Sequence, residues 1–184
     1  MKTTEIIDLV KAGNLAALEA KFARIEQMAG SNIAVRNEIF SDMVNEKDTS
    51  ECTPLHYVTY STALSTNDSI RCIHLLTGKG EDINARDNEG NTPLHAIAKN
   101  FMNKKNNQSL EATAELMDLL LTLGCKGRIK DNEGHTAMLY FINGTDADGL
   151  STIQGTDSTS LKYFKKDLSV VYDAVLKKKQ CILL

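Results

Sequence analysis

The chain reads as an all-α protein, a solenoid of about four irregular helix-pair repeats with inserted loops. The first observation behind this is a phrase used twice. Asp87-Asn88-Glu89-Gly90-Asn91-Thr92-Pro93-Leu94-His95 is echoed by Asp131-Asn132-Glu133-Gly134-His135-Thr136-Ala137-Met138-Leu139, and a looser copy runs from Asp48 through Thr53-Pro54-Leu55-His56. Internal repetition at tens of residues marks stacked units that bury a continuous core only together. The second observation is helical spacing of apolar residues after each phrase, with nothing that alternates like a strand.

Each phrase is a turn followed by a helix start. Gly90 and Gly134 fall where a tight turn needs positive φ. Thr92 takes the N-cap, Pro93 the first helical position, and Leu94, Ile97 and Ala98 the apolar stripe. The third copy, with Ala137 for proline and Leu139 for histidine, is worn in the manner of a terminal repeat.

Reading outward gives four units, at 4–47, 48–86, 87–130 and, for the start of the fourth, 131–160. Unit 1 has the frame without the tetrad, then a helix over 15–28 carrying Leu15, Leu18, Phe22 and Ile25. Ile33, Arg36, Ile39, Phe40 and Met43 predict an additional helix after it. Unit 2 has helices over 53–61 and 69–76, unit 3 over 92–99 and 110–123, and unit 4 over 137–142. Residues 161–184 form a long final helix, to about 178, with a basic tail. The aligned threonines 4, 53, 92 and 136 lie 49, 39 and 44 residues apart. The polar stretches 63–67 and 102–108 are expected to be solvated loops between the helices of units 2 and 3, and 143–160 a Gly/Ser/Thr/Asp-rich loop.

The D-x-x-G turn and the two full T-P-L-H tetrads resemble the ankyrin repeat, whose regular spacing is about 33 residues. The resemblance implies protein–protein binding through hairpin tips and the exposed ends of first helices. The matching positions are Tyr60, Asn88, Glu89, Asn91, Lys99, Asn100, Asn132, Glu133 and His135. It also implies that His56 and His95 fix turn backbone, which weighs against a zinc site built from Cys52 with His56 or Cys72 with His74; paired C-x-x-C spacing is absent. Leu76-x5-Asp82-Ile83-Asn84 is similar to the pattern read by the asparaginyl hydroxylase of ankyrin repeats. That makes Asn84 a possible hydroxylation position, although the ordinary role of such an asparagine is to bond local turn backbone.

Cys181-Ile182-Leu183-Leu184 fits a C-a-a-X prenylation box whose final leucine favours geranylgeranyl. Lys177, Lys178 and Lys179 stand just before it, supplying the second signal that a single lipid needs on an anionic membrane. Few degenerate repeats joined to such a box also resemble the ankyrin effectors of intracellular bacteria, which a eukaryotic host prenyltransferase would modify. The expectation is a lipid-anchored adaptor on the cytosolic face of a host membrane, holding an unidentified protein partner.

Composition narrows the alternatives. With 184 residues and 42% hydrophobic content, the chain can bury one core of ordinary size. No apolar run approaches the ~18 residues that a membrane span needs. The first residues lack the apolar stretch of a secretory signal, and four scattered cysteines favour a reducing compartment. Residues 161–184 carry a balance of +4 within a chain of net −3, which leaves −7 on the rest. An acidic body does not suit nucleic acid. No nucleophile elbow, phosphate loop, H-E-x-x-H or dinucleotide fingerprint occurs, so neither enzyme nor cofactor is expected.

Overall fold

A computed structural model describes residues 5–60, 63–103 and 109–144, within the compact unit that ends at Thr145. The predicted final helix, the lysines 177–179 and Cys181 lie outside the described residues. Within them the chain is helical: α1 Glu5–Lys11, α2 Leu15–Ala29, α3 Ile33–Val44, α4 Pro54–Tyr60, α5 Thr66–Gly78, α6 Pro93–Met102, α7 Leu110–Thr122 and α8 Ala137–Gly144. The one β pairing among the described residues is an isolated antiparallel bridge between Lys130 and Thr136.

Packing sorts these helices into two rows. Helices α1, α4, α6 and α8 pack each against the next, and α2, α5 and α7 do the same behind them. Within a unit, α1 pairs with α2, α4 with α5 and α6 with α7. The front helices are short and buried nearly all round: Pro93 through Ala98 and Asn100 are buried in α6. The rear helices are amphipathic, burying Leu15, Leu18 and Phe22 of α2 and Ser69, Cys72, Ile73 and Leu76 of α5. Apolar side chains between the rows (Ile6, Leu18, Leu55, Ile73, Leu76, Leu94, Ile97, Leu116, Leu120) form the core. Burying each stabilises by about 1.5–3 kcal/mol.

Helix starts follow local chemistry. Asn14, Asn32, Ser65 and Ser109 accept the N–H of Ala17, Val35, Asp68 and Ala112, respectively. The predicted additional helix is α3, which packs on α2. The predicted loop at 63–67 is corrected: Leu64 is buried, Ser65 caps α5, and Thr66 and Asn67 belong to its first turn. A buried leucine and a serine cap outweigh the polar composition there. Helix α6 likewise runs to Met102, three residues past its expected end, and residues 104–108 lie outside the described residues.

Three turns precede α4, α6 and α8, and all are built alike. Asp48 Oδ1 accepts the N–H of Ser50 and Cys52, Asp87 Oδ1 those of Glu89 and Asn91, and Asp131 Oδ1 those of Glu133 and His135. Each turn closes through a left-handed residue: Gly90 at φ 79°, Gly134 at φ 83°, and in the first copy Glu51 at φ 59°. At Gly90 a Cβ would also lie 2.9 Å from the Asn132 backbone nitrogen, so both conformation and space demand glycine.

Candidate partner-binding turns

The tetrad histidines join successive turns. His95 Nδ1 lies 3.2 Å from the Thr92 N–H and 2.9 Å from its hydroxyl, while Nε2 lies 3.2 Å from the His135 carbonyl. A backbone N–H can only donate and a carbonyl can only accept, so His95 is the neutral tautomer protonated on Nε2. His56 repeats this with Thr53 on one side and the Asn91 carbonyl, at 3.1 Å, on the other. Burial holds both imidazoles below the ordinary histidine pKa. With both ring nitrogens spent, His56 cannot serve a zinc site with Cys52.

Backbone and side-chain rungs run beside the histidines. The Asn88 N–H donates to the Ser50 carbonyl at 3.0 Å, and that of Asn132 to the Glu89 carbonyl at 2.9 Å. The Asn88 and Asn132 amides donate to the carbonyls of Thr49 and Asn88, at 3.2 and 3.0 Å. Lys47 reaches the Arg86 carbonyl at 3.3 Å, and Arg86 reaches that of Lys130 at 3.0 Å. Asn84, half-buried, accepts the Lys126 N–H at 2.8 Å. Its partner is therefore in the next unit, and the expected local bond is corrected to a bridge between units.

The predicted partner residues divide accordingly. Asn88, Glu89, Asn132 and Glu133 are exposed, and His135 and Lys99 half-buried. Asn91 and Asn100 are corrections: they are 1% and 2% exposed and belong to the framework. The Asn91 amide bridges the Asp87 and Glu89 carboxylates at 3.0 and 3.1 Å, and the Asn100 amide donates to the Thr59 carbonyl at 2.8 Å. Tyr60 ends α4, and its side chain lies outside the described residues.

Around the last turn these residues meet two that sequence reasoning missed, Asp131 and Tyr140. The Tyr140 hydroxyl donates to Asp131 Oδ2 at 2.7 Å and lies 3.1 Å from His135 Nδ1 and 3.2 Å from Glu133 Oε2. Lys99 places its ammonium 4.7 Å from the Tyr140 ring centre, 3.5 Å from Asp131 and 3.3 Å from Glu89. Burial would raise the Asp131 pKa, but the Tyr140 hydroxyl, the turn N–H groups and Lys99 outweigh it and set it at about 2. Burial first, then the two carboxylates, push the Tyr140 phenol well up. The Asn91 amide and Lys99 hold Glu89 below its ordinary value.

The same grouping occurs at the first turn. There the Tyr57 hydroxyl bonds Asp48, and Lys11 sits 4.0 Å over the Tyr57 ring and 3.8 Å from Asp48. Both tyrosines follow their aspartate by nine residues, a spacing that could have been read from the chain. The middle turn has Ala96 at that position, and Asn91 satisfies Asp87 instead.

Asp131, Glu133 and His135 bring one ligand atom each within 4.8 Å of one another, the one such grouping among the described residues. Asp131 already has the Tyr140 hydroxyl, two turn N–H groups and Lys99 as partners, so within this cluster it serves to brace the turn. What faces outward is the carboxylate row of Glu89 and Glu133 with the edge of His135, polar groups on a stiff support. No protein-family model matches the chain, and no curated protein matches it.

Proposed function

We propose that the chain is an ankyrin-type protein-interaction adaptor that holds a protein partner across its second and third turns, at the cytosolic face of a membrane. The observation that carries this is the threefold recurrence of the aspartate-anchored turn, with His56 and His95 each tying its own turn to the next. Such ties make a rigid row of tips, and a partner bound to rigid tips loses no free energy to ordering them. Glu89 and Glu133 project from that row and would meet a cationic segment of the partner, where complementary charge sets on-rate and register.

The membrane half rests on the C-a-a-X pattern of Cys181-Ile182-Leu183-Leu184 behind Lys177, Lys178 and Lys179. A eukaryotic prenyltransferase would attach the isoprenoid. One lipid with three lysines meets the two-signal requirement for stable anchoring on an anionic leaflet. Host-cell modification of a bacterial effector fits the same arrangement.

Affinity purification with quantitative mass spectrometry from eukaryotic cells tests both halves. The partner should be retained by Cys181→Ser and depleted by charge reversal at Glu89 and Glu133. Intact mass should show loss of Ile182, Leu183 and Leu184 and gain of a C20 thioether. A free thiol followed by an intact Leu184 would leave an ankyrin scaffold without lipidation. A partner list indifferent to Glu89 and Glu133 would remove the tip surface from the reading.

A further inference from the structure

The additional helix α3 builds a surface that the repeat pattern does not account for. It forms a corner with the end of α2, and residues 27–35 of that corner contain no charged side chain. Apolar side chains point outward there: Met28 is 77% exposed, Ile33 60% and Val35 43%, with Ile39 at 38% one turn on. These are the most exposed large hydrophobic residues among the described residues, and Met28 and Ile33 stand on either side of the turn that joins α2 to α3. Beside it, between α2, α3 and the end of α5, lies a half-open cavity of about 420 Å³ lined by Glu26, Arg36, Asn37, Phe40, Ser41 and Lys79.

The cavity holds cationic donors with capacity to spare. Lys79 lies 4.3 Å over the Phe40 ring and pairs with Glu26. Arg36 is half-buried at the cavity wall; its guanidinium makes no hydrogen bond or ion pair with any described residue and lends only longer-range charge to Glu26. A guanidinium has five N–H donors in a fork that fits a phosphate. Ile33, Arg36 or Asn37, and Phe40 recur at helical spacing, so Ile33 and the cationic wall lie along one side of α3, while Val35 and Ile39 face the other.

We propose that the α2–α3 corner is a membrane-docking surface, with Met28 and Ile33 entering the bilayer interface and Arg36 with Lys79 taking the phosphate of an anionic phospholipid. An exposed, uncharged apolar corner beside cationic donors has the pairing of an interfacial anchor, apolar side chains for the acyl boundary and positive charge for the headgroups. The adjoining cavity supplies the charge complement for a headgroup. It adds a second membrane contact to the reading above and rests on that reading only for choosing a membrane over a protein.

The test uses the full chain with Cys181→Ser and lysines 177–179 replaced by glutamine, so that neither lipid nor tail charge contributes. Sedimentation with phosphatidylcholine vesicles, with and without phosphatidic acid, should show binding that rises with the anionic lipid. Arg36→Gln should weaken it about five-fold, the effect of ~1 kcal/mol per basic side chain. Met28→Ser with Ile33→Ser should weaken it about tenfold or more. Both sets are exposed or half-exposed, and an unchanged thermal midpoint confirms the fold. Inorganic phosphate at equal phosphate concentration should not displace the protein from vesicles. Vesicle binding insensitive to all three substitutions, or absent altogether, overturns the proposal. So does binding of an acidic leucine-rich peptide at the same residues without vesicle association. Because the tail is silenced, either failure leaves lipidation of Cys181 to its own mass measurement.

Discussion

His95 is a structural residue with a definable worth. Its imidazole accepts from Thr92 and donates to the His135 carbonyl, and it is 1% exposed. His95→Ala should lower stability by about 1–3 kcal/mol, since buried donor and acceptor are both left unmatched; chemical denaturation measures it directly. Glu81 makes the opposite kind of prediction. It is 6% exposed, gives one oxygen to the Leu55 N–H at 2.7 Å, and leaves Oε2 without a partner. Burial raises its pKa from 4.5 to about 8. A raised folded-state pKa means the native state binds the proton more tightly than the unfolded chain. The associated stability is complete below pH 4.5 and is lost as pH climbs toward 8, at roughly 1.4 kcal/mol per unit. Glu81→Gln should flatten that decline and give the more stable protein at pH 8, as read from thermal midpoints across the range. His56 and His95, depressed by burial, work at the other end and cost stability as pH falls below 6.5.

At the scale of elements, the turns and caps carry the testable content. Glu51 holds φ 59° where the sister turns hold glycine. A left-handed side chain costs about 1–2 kcal/mol, and the exposed pair with Lys47 returns less than about 1. Glu51→Gly should therefore raise the denaturant midpoint by a modest amount, with a gain near ~1 kcal/mol. Ser65→Ala should cost about 1 kcal/mol by uncapping α5. These elements also mark what could be read in advance. The turns, the tetrad histidines and α3 were legible because glycine, proline, threonine and helical apolar spacing act locally. The start of α5 was missed because Ala63-Leu64-Ser65-Thr66-Asn67 looks polar. Only packing reveals that Leu64 faces inward and that Ser65 is the cap rather than loop.

Across the whole molecule, legibility falls with sequence distance. Asn91 and Asn100 resemble exposed tip and helix-end residues, yet their amides are consumed by Asp87, Glu89 and the Thr59 carbonyl, the last 41 residues away. The Lys99–Tyr140–Asp131 and Lys11–Tyr57–Asp48 groups each join neighbouring units and exist only once those units stack. Their strength should show in coupling between units. Tyr140→Phe removes the donor to Asp131, whose buried carboxylate then loses its closest side-chain partner, at a cost of about 1–3 kcal/mol. Paired with Lys99→Met in a double-mutant cycle, the losses should be less than additive, because both substitutions strip the same carboxylate. Simple additivity would show that the two groups act separately.

The histidine ties also give the stack a direction. His56 donates forward to the carbonyl of Asn91, and His95 forward to that of His135; each acceptor belongs to the later unit. The lysine and arginine rungs from Lys47 and Arg86 point the same way. The backbone and amide rungs run the other way, from Asn88 to Ser50 and Thr49 and from Asn132 to Glu89 and Asn88, so each seam takes donors from both of its units. A ribosome delivers the earlier unit of each seam first. Each unit that emerges thus finds its docking partner already in place, and growth of the folded row can keep pace with synthesis.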